Sequence, residues 1–266
     1  MTLEGLDIRI LGPACLAGLI VLSTHVPLGK QVLARGIIFI DLAIAQIAAL
    51  GVISAGFFGV DEGSFKIQIA AAAAALLGAG LLAWTDRRWP HYQEPLIGTL
   101  FVLAATGGLL LLANNPQGGE HLKDLLVGQI LWVSFGQLIP AAILSVILLA
   151  FMWLRRGRLA GLVFYGLFAL AITASVQLVG VYLVFASLIV PALATAGMEG
   201  NSQMVAAYTI GICGYVLGLA LSAVLDLPSG AMIVWTLAGC AMLAQLVPVV
   251  RRSHPSHPTA AATFDT

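Results

Sequence analysis

Apolar residues run through this chain in long unbroken blocks, with polar residues gathered between them. The first blocks cover 8–27, 37–58, 65–84 and 96–113. Each approaches the roughly 20 apolar residues that a helix needs to cross a bilayer. A longer stretch, 125–154, contains Pro140 and reads as two parts. The second, 137–154, is long enough to cross. The first, LVGQILWVS, reads as a short helix lying at the surface or dipping inward. The run from 160 to 196 is too long for one ordinary span, and Gln177, Gly180 and Pro191 interrupt it. It is expected to divide near 178. Blocks at 204–224 and 229–250 complete a set of about nine helices, within a range of eight to ten. None of the blocks alternates as a membrane-barrel strand would. The fold class is therefore an all-α polytopic membrane protein. Residues 1–250 are expected to form one transmembrane domain, and 251–266 a polar, disordered cytoplasmic tail.

Composition agrees with that pattern. The chain of 266 residues is 60% hydrophobic and only 9% charged, against about 25% charged in soluble domains. The lipid bilayer is thus its first partner. A net charge of zero gives no footprint for nucleic acid. Cys15, Cys213 and Cys240 all lie in apolar blocks, without the spacing of a zinc site or a disulfide framework. Glu4, Asp7 and Arg9 precede the first block. That is not a basic leader region, so this block reads as a retained span.

Positive charge sets the orientation. With the N-terminus outside, Lys30, Arg35, Arg87, Arg88, Arg155, Arg156, Arg158, Arg251 and Arg252 all fall on the cytoplasmic side, leaving Arg9, Lys66 and Lys123 outside. Such a bias is the positive-inside pattern, and it depends on dividing 160–196 into two helices. A multi-pass protein of a bacterial inner membrane follows, with its C-terminus in the cytoplasm.

Several glycines lie within the blocks, among them Gly78, Gly80, Gly107, Gly108, Gly211, Gly214 and Gly218. Small residues let helices approach closely in lipid, and packing is the role expected of them. Polar residues inside the blocks are fewer and more informative, because polar groups in hydrocarbon usually face a cavity or the protein interior. FIDLAIAQIAALG carries Asp41 and Gln46, and Gln177 interrupts a later block. Asp41, Gln46 and Gln177 are the candidates for a translocation pathway, with Asp41 the candidate metal ligand. Asp41 could equally pair with Arg35 or a neighbouring helix, Gln46 could make an interhelical hydrogen bond, and Gln177 could cap a broken helix. Gln129 and Gln137 are weaker candidates of the same kind. His25 precedes Pro27 and reads as interfacial. His91 and His121 are isolated in loops, and Asp226 shapes the loop before the last helix. His254 and His257 belong to a plain polar tail, with weak metal binding as the alternative. The chain has no phosphate-binding glycine loop with lysine, no HExxH and no GxSxG, so it is not read as an enzyme.

Three stretches carry a resemblance. SVQLVGVYLVFASLIVPALATA (175–196) resembles the pattern of a glutamine, a VG pair and an apolar run ending in proline, small residues and threonine. That pattern belongs to the permease subunit of zinc/manganese-type ABC importers. LDLPSGAMIVW (225–235) is similar to that family's penultimate loop, and LVGQILWVS (126–134) to the element before its central span. The first span, the turn GKQVLARG and a second helix beginning near Gly36 follow in the same order. The resemblance implies an ABC importer permease-like fold and a homodimer. No cofactor would be bound in the chain itself. ATP would be hydrolysed on a separate ATPase subunit, and a divalent metal ion, zinc or manganese, would be delivered by an extracytoplasmic solute-binding protein.

The chain departs from that family twice. The family's second helix carries aspartate and histidine four residues apart, and the histidine lies five before a glycine. Counted back from Gly51, those positions hold Leu42 and Gln46, and the carboxylate stands one residue early at Asp41. Four residues separate side chains by about 40° around a helix, five by about 140°. Asp41 and Gln46 are therefore not expected to share one ion on a regular helix. Glutamine is also a poor ligand for zinc. Secondly, only RRGRLAG (155–161) stands where the family has an amphipathic helix that docks on the ATPase. Arg155, Arg156 and Arg158 are candidates for contact with that subunit, or anchors at the lipid headgroups. A divergent permease-fold protein, carrying another small solute or serving as a non-transporting partner, remains the alternative.

Overall fold

The computed structural model describes residues 8–60, 64–112, 126, 128, 130–155 and 161–246. Among these residues every regular element is helical: α1 (Ile8–Arg35), α2 (Ile40–Phe57), α3 (Phe65–Arg88), α4 (Gln93–Leu112), α5 (Phe135–Leu154), α6 (Gly161–Val179), α7 (Val181–Ala194), α8 (Gly200–Leu225) and α9 (Ser229–Ala244). Short 3-10 turns cover Pro90–Tyr92 and Ile130–Trp132. Seven of the described helices are long and apolar enough to cross a membrane, while α7 and α9 are shorter. The all-α membrane fold and the nine helices match the sequence expectation.

Three boundaries differ, each for a physical reason. The segment GKQVLARG is helix rather than turn, because α1 runs to Arg35. Leu28 and Val32, four residues apart, are fully buried there, so this stretch has a packed face as well as a charged one. The chain turns only at Gly36, whose φ of +68° suits a residue without Cβ. Consequently α2 starts at Ile40, not near Gly36. The break in 125–154 falls before Ser134, not at Pro140. Gln137 Oε1 accepts the Ser134 N–H at 2.9 Å, fixing the start of α5. Pro140 then sits in the second turn of an intact helix.

The expected division of 160–196 is found at Gly180, between α6 and α7. Gly180 has φ 81° and ψ 164°, a combination almost confined to glycine. This one residue reverses the path of the chain. Phe164, early in α6, carries the Arg35 guanidinium 3.9 Å above its ring. Late in α7, Leu188 and Ala192 pack on Gly29 of α1. Both helices thus have their outer ends toward the end of α1 that bears Arg35. Arg87, at the close of α3, lies beside Gly161 at the start of α6. Arg155 closes α5 six residues before Gly161. We call this the basic end.

The core is centred on α6, where Phe164, Tyr165, Phe168 and Ile172 are fully buried. Helix α2 packs on α3 and α4, α3 on α6, α7 on α1 and α9, and α8 on α9. Close approach at glycine is general: Gly78 lies against Ile47, Gly211 against Leu22, Gly214 against Leu237 and Gly218 against Ile233. Gly80, by contrast, faces open space. Pro27 cannot donate to the Ser23 carbonyl, as the residue at that helix position ordinarily would. The Tyr208 hydroxyl of α8 takes that carbonyl at 3.0 Å, satisfying a group that lipid could not.

Candidate functional site

Helices α2, α4, α7 and α9 line a half-open cavity of about 640 Å³. Leu42 and Gln46 come from α2; Phe101, Ala105 and Leu109 from α4. Val181, Tyr182, Phe185, Ala186 and Val190 come from α7, and Ala231, Val234 and Trp235 from α9, with Leu126 beside them. Of these only Gln46, Tyr182 and Trp235 carry a polar side-chain atom. The described lining holds no carboxylate, imidazole or thiol.

The register of α2 decides which polar residue reaches this cavity. Leu42 and Gln46, four apart, both line it, and Asp41 does not. Asp41 is 1% exposed, and neither of its carboxylate oxygens has a hydrogen-bond partner among the described residues. It occupies the first turn of α2, where unpaired backbone N–H groups favour negative charge. The pairing with Arg35 that the sequence left open is not made through a hydrogen bond of this carboxylate. Asp41, the candidate metal ligand, is enclosed by protein and absent from the lining, whereas Gln46 lines the cavity.

Gln177 is exposed near the end of α6 and takes no part in the cavity lining. Gln137 caps α5. His25 lies ten residues before the end of α1. It is fully buried, with Nδ1 2.9 Å from the Val21 carbonyl and Nε2 unpartnered. His91 is exposed in the turn after α3. Asp226 ends α8 in the left-handed conformation with φ 53°, and Ser222 Oγ reaches the next residue's carbonyl at 2.6 Å; it does shape that loop. Arg155 is exposed at the end of α5. Arg156, Arg158, Gln129, His121, His254, His257 and the tail lie outside the described residues. Among the described residues, no three His, Cys, Asp or Glu side chains gather as a metal site.

Sequence reasoning missed two residues that organise the basic end. Gln93 is buried; its amide nitrogen donates to the Leu82 carbonyl at 3.0 Å and to the Tyr165 hydroxyl at 3.1 Å. Its oxygen accepts the Thr85 hydroxyl at 3.0 Å, so one side chain fastens α3, α4 and α6. Glu94 Oε1 accepts the Phe39 N–H at 3.3 Å, linking α4 to the turn before α2. In sequence both residues sit in WPHYQEP, which looks like an ordinary loop.

A bundle of apolar helices in which short members line a cavity is an architecture that transport permeases use. The comparisons narrow that class. The ABC 3 transport family matches residues 7–164 and 158–247, and the chain belongs to that family. It is 28% identical over 255 residues to a "Probable iron transport system membrane protein" of Haemophilus influenzae, covering 87% of this chain and 91% of that one. A "Probable metal transport system membrane protein" of Chlamydia muridarum is 26% identical over 184 residues, covering 61% and 63% of the two chains. Among solved structures, PsaBC from Streptococcus pneumoniae in complex with Fab superposes with a TM-score of 0.74 at 21% identity, over 94% of this chain and 98% of that one. At that identity the likeness is one of fold.

Proposed function

We infer that this chain is the membrane subunit of an ABC importer for a divalent metal ion, working as a homodimer in a bacterial inner membrane. ATP is hydrolysed on a separate ATPase subunit that meets the basic end, with Arg155 in the contact. An extracytoplasmic binding protein delivers the ion to the opposite end. The N-terminus lies outside and the C-terminus in the cytoplasm. Family membership and the wording of the relatives' names support the cargo class. The observation that carries the site is the paired placement of Leu42 and Gln46 on the cavity wall. These are the two positions that the resemblance assigns to the family's aspartate and histidine.

The test is cellular metal content. A strain lacking this chain is compared with strains restored with the native protein or with Gln46→Ala, and zinc, manganese and iron are measured by mass spectrometry. The expected result is a several-fold deficit of one metal that the native chain corrects and Gln46→Ala corrects poorly. Unchanged content of all three metals in the deletion strain rejects metal import.

One observation favours a second reading. The described cavity lining offers a single amide, a phenol and an indole, whereas zinc is held by imidazole, thiolate or carboxylate and manganese by oxygen ligands. On this reading the chain keeps the permease fold but moves another small solute, or none. The same experiment separates the two, because only the first predicts a metal deficit.

A further inference from the structure

Helix α8 runs against α1 in the opposite sense. Tyr208 reaches Ser23, Gly211 lies against Leu22 and Tyr215 against Gly18, so α8 ends beside the start of α1, away from Arg35. A smaller, half-open pocket of about 330 Å³ lies there. The turn before α5 gives it Leu131 and Trp132, and residues 226–228 with the first turn of α9 form the facing wall. Both walls are anchored. Ile130 and Val133 are buried on either side of Leu131 and Trp132. Across the pocket, the Ser222 carbonyl accepts the Leu227 N–H at 3.2 Å, and the Ser222 hydroxyl donates to the Leu227 carbonyl at 2.6 Å. Two side chains of the lining stand open. Trp132 is 79% exposed, and Asp226 is exposed as well. Neither side chain has a hydrogen bond, ion pair or ring contact among the described residues. A carboxylate and an indole in one small pocket suit a cationic side chain, which pairs with the first and is attracted to the face of the second. Charge at this end has the matching sign. By sequence order, Arg9, Lys66 and Lys123 are its basic residues, and Glu4, Asp7, Asp61, Glu62, Glu120 and Asp124 outnumber them even without Asp226. An acidic surface steers a basic partner toward it.

We propose that this pocket receives a lysine or arginine side chain of the extracytoplasmic binding protein, paired with Asp226 and laid against Trp132. The proposal rests on the importer reading. The position of the pocket favours that occupant. Ser229 and Gly230 line it at the start of α9, and Ala231 and Val234, further along the same helix, line the larger cavity. Gly128 also lines it, and its φ of +70° and missing Cβ let it rest on the Val179 carbonyl and the Gly180 nitrogen. A side chain seated here touches both the start of α9 and the segment that covers the α6–α7 break. A protein handing over a solute is thereby registered on the elements that wall the cavity. Pre-formed walls lose little freedom on binding, and tryptophan is a frequent anchor at protein interfaces.

The test reads Trp132 directly. The full chain is made with 5-fluorotryptophan and kept in an uncharged maltoside detergent. The Trp132 fluorine signal is the one lost in Trp132→Phe, and Trp84, Trp89 and Trp153, toward the basic end, serve as internal references. The probe is a capped tetra-arginine peptide, with capped tetra-glutamine as the neutral control. A saturable shift of Trp132 alone is expected with tetra-arginine and none with tetra-glutamine. In Asp226→Asn the affinity should fall about five-fold or more, because a charge-assisted contact becomes neutral. Asparagine tolerates the left-handed conformation, so the loop keeps its path. Equal affinity in Asp226→Asn, or shifts spread over all the tryptophan signals, overturns the proposal. So does a Trp132 shift with manganese or zinc chloride alone at the same concentration, which makes the pocket an ion site. In complemented cells Asp226→Asn should correct the metal deficit less well than the native chain; full correction overturns the docking role. Peptide binding alongside unchanged metal content in the deletion strain would sink the metal reading and leave the pocket standing. A metal deficit without peptide binding would sink the pocket alone.

Discussion

Asp41 and Gln46 stand five residues apart on one helix and end in different surroundings. The helical period made that separation legible, since five residues turn a side chain through about 140°. Which of the two would meet the cavity was not legible. Helix α2 is apolar on all sides, so no polar face marks its orientation; only α4, α7 and α9 define it. Gln93 escaped notice for a related reason. Its three partners come from residues 82, 85 and 165, and a loop sequence holds no trace of a contact with α6. Asp41 now carries a stability prediction rather than a ligand prediction. A buried polar group without a partner costs about 1–3 kcal/mol, more if it is charged, while the favourable helix terminus returns about 0.3–2 kcal/mol. Asparagine would leave its own amide unpaired, so Asp41→Leu, close in size and without a polar side-chain atom, is the change that should stabilise the protein. A rise of several degrees in the thermal unfolding midpoint in detergent is expected, together with unchanged metal content in complemented cells. A lower midpoint would mean that the carboxylate has a partner in the working assembly.

At the scale of elements, length and apolarity announced the nine helices, and the glycine at the α6–α7 break was legible as an interruption. Helix ends were harder to place. GKQVLARG looks like a basic turn, yet Leu28 and Val32 carry α1 onward. The proline at 27 looks like a stop, yet Tyr208 satisfies the carbonyl it leaves free. The second correction comes from a residue far away in sequence. Helix–helix approach supplies the prediction at this scale. A Cβ on Gly29 would run into the backbone carbonyl of Leu188, which cannot swing aside as a side chain does. Overpacking of a tight core costs about 1–3 kcal/mol, occasionally more. Gly29→Ala should therefore lower the unfolding midpoint by several degrees and loosen α1 from α7. Gly80→Ala, facing open space, should do neither. Equal midpoints for the two variants would show that α7 can shift to accommodate the methyl group.

At the scale of the molecule, one architectural detail governs how the chain is made. Helix α7 has 14 residues, about 21 Å of helix, below the roughly 17–25 residues that span a bilayer. Gly180 is all that separates it from α6. A nascent chain has no interval in which α6 could settle first and α7 be offered afterwards, so the two must leave the insertion channel together as one bent segment. The topology of α8, α9 and the basic tail is then inherited from that single event. Reporter fusions placed after residue 178 and after residue 199 should appear on opposite faces of the membrane, and a common face would mean that α7 never returns. The last 86 of the chain's 266 codons thus hang, for their direction across the bilayer, on whether one glycine folds back during synthesis.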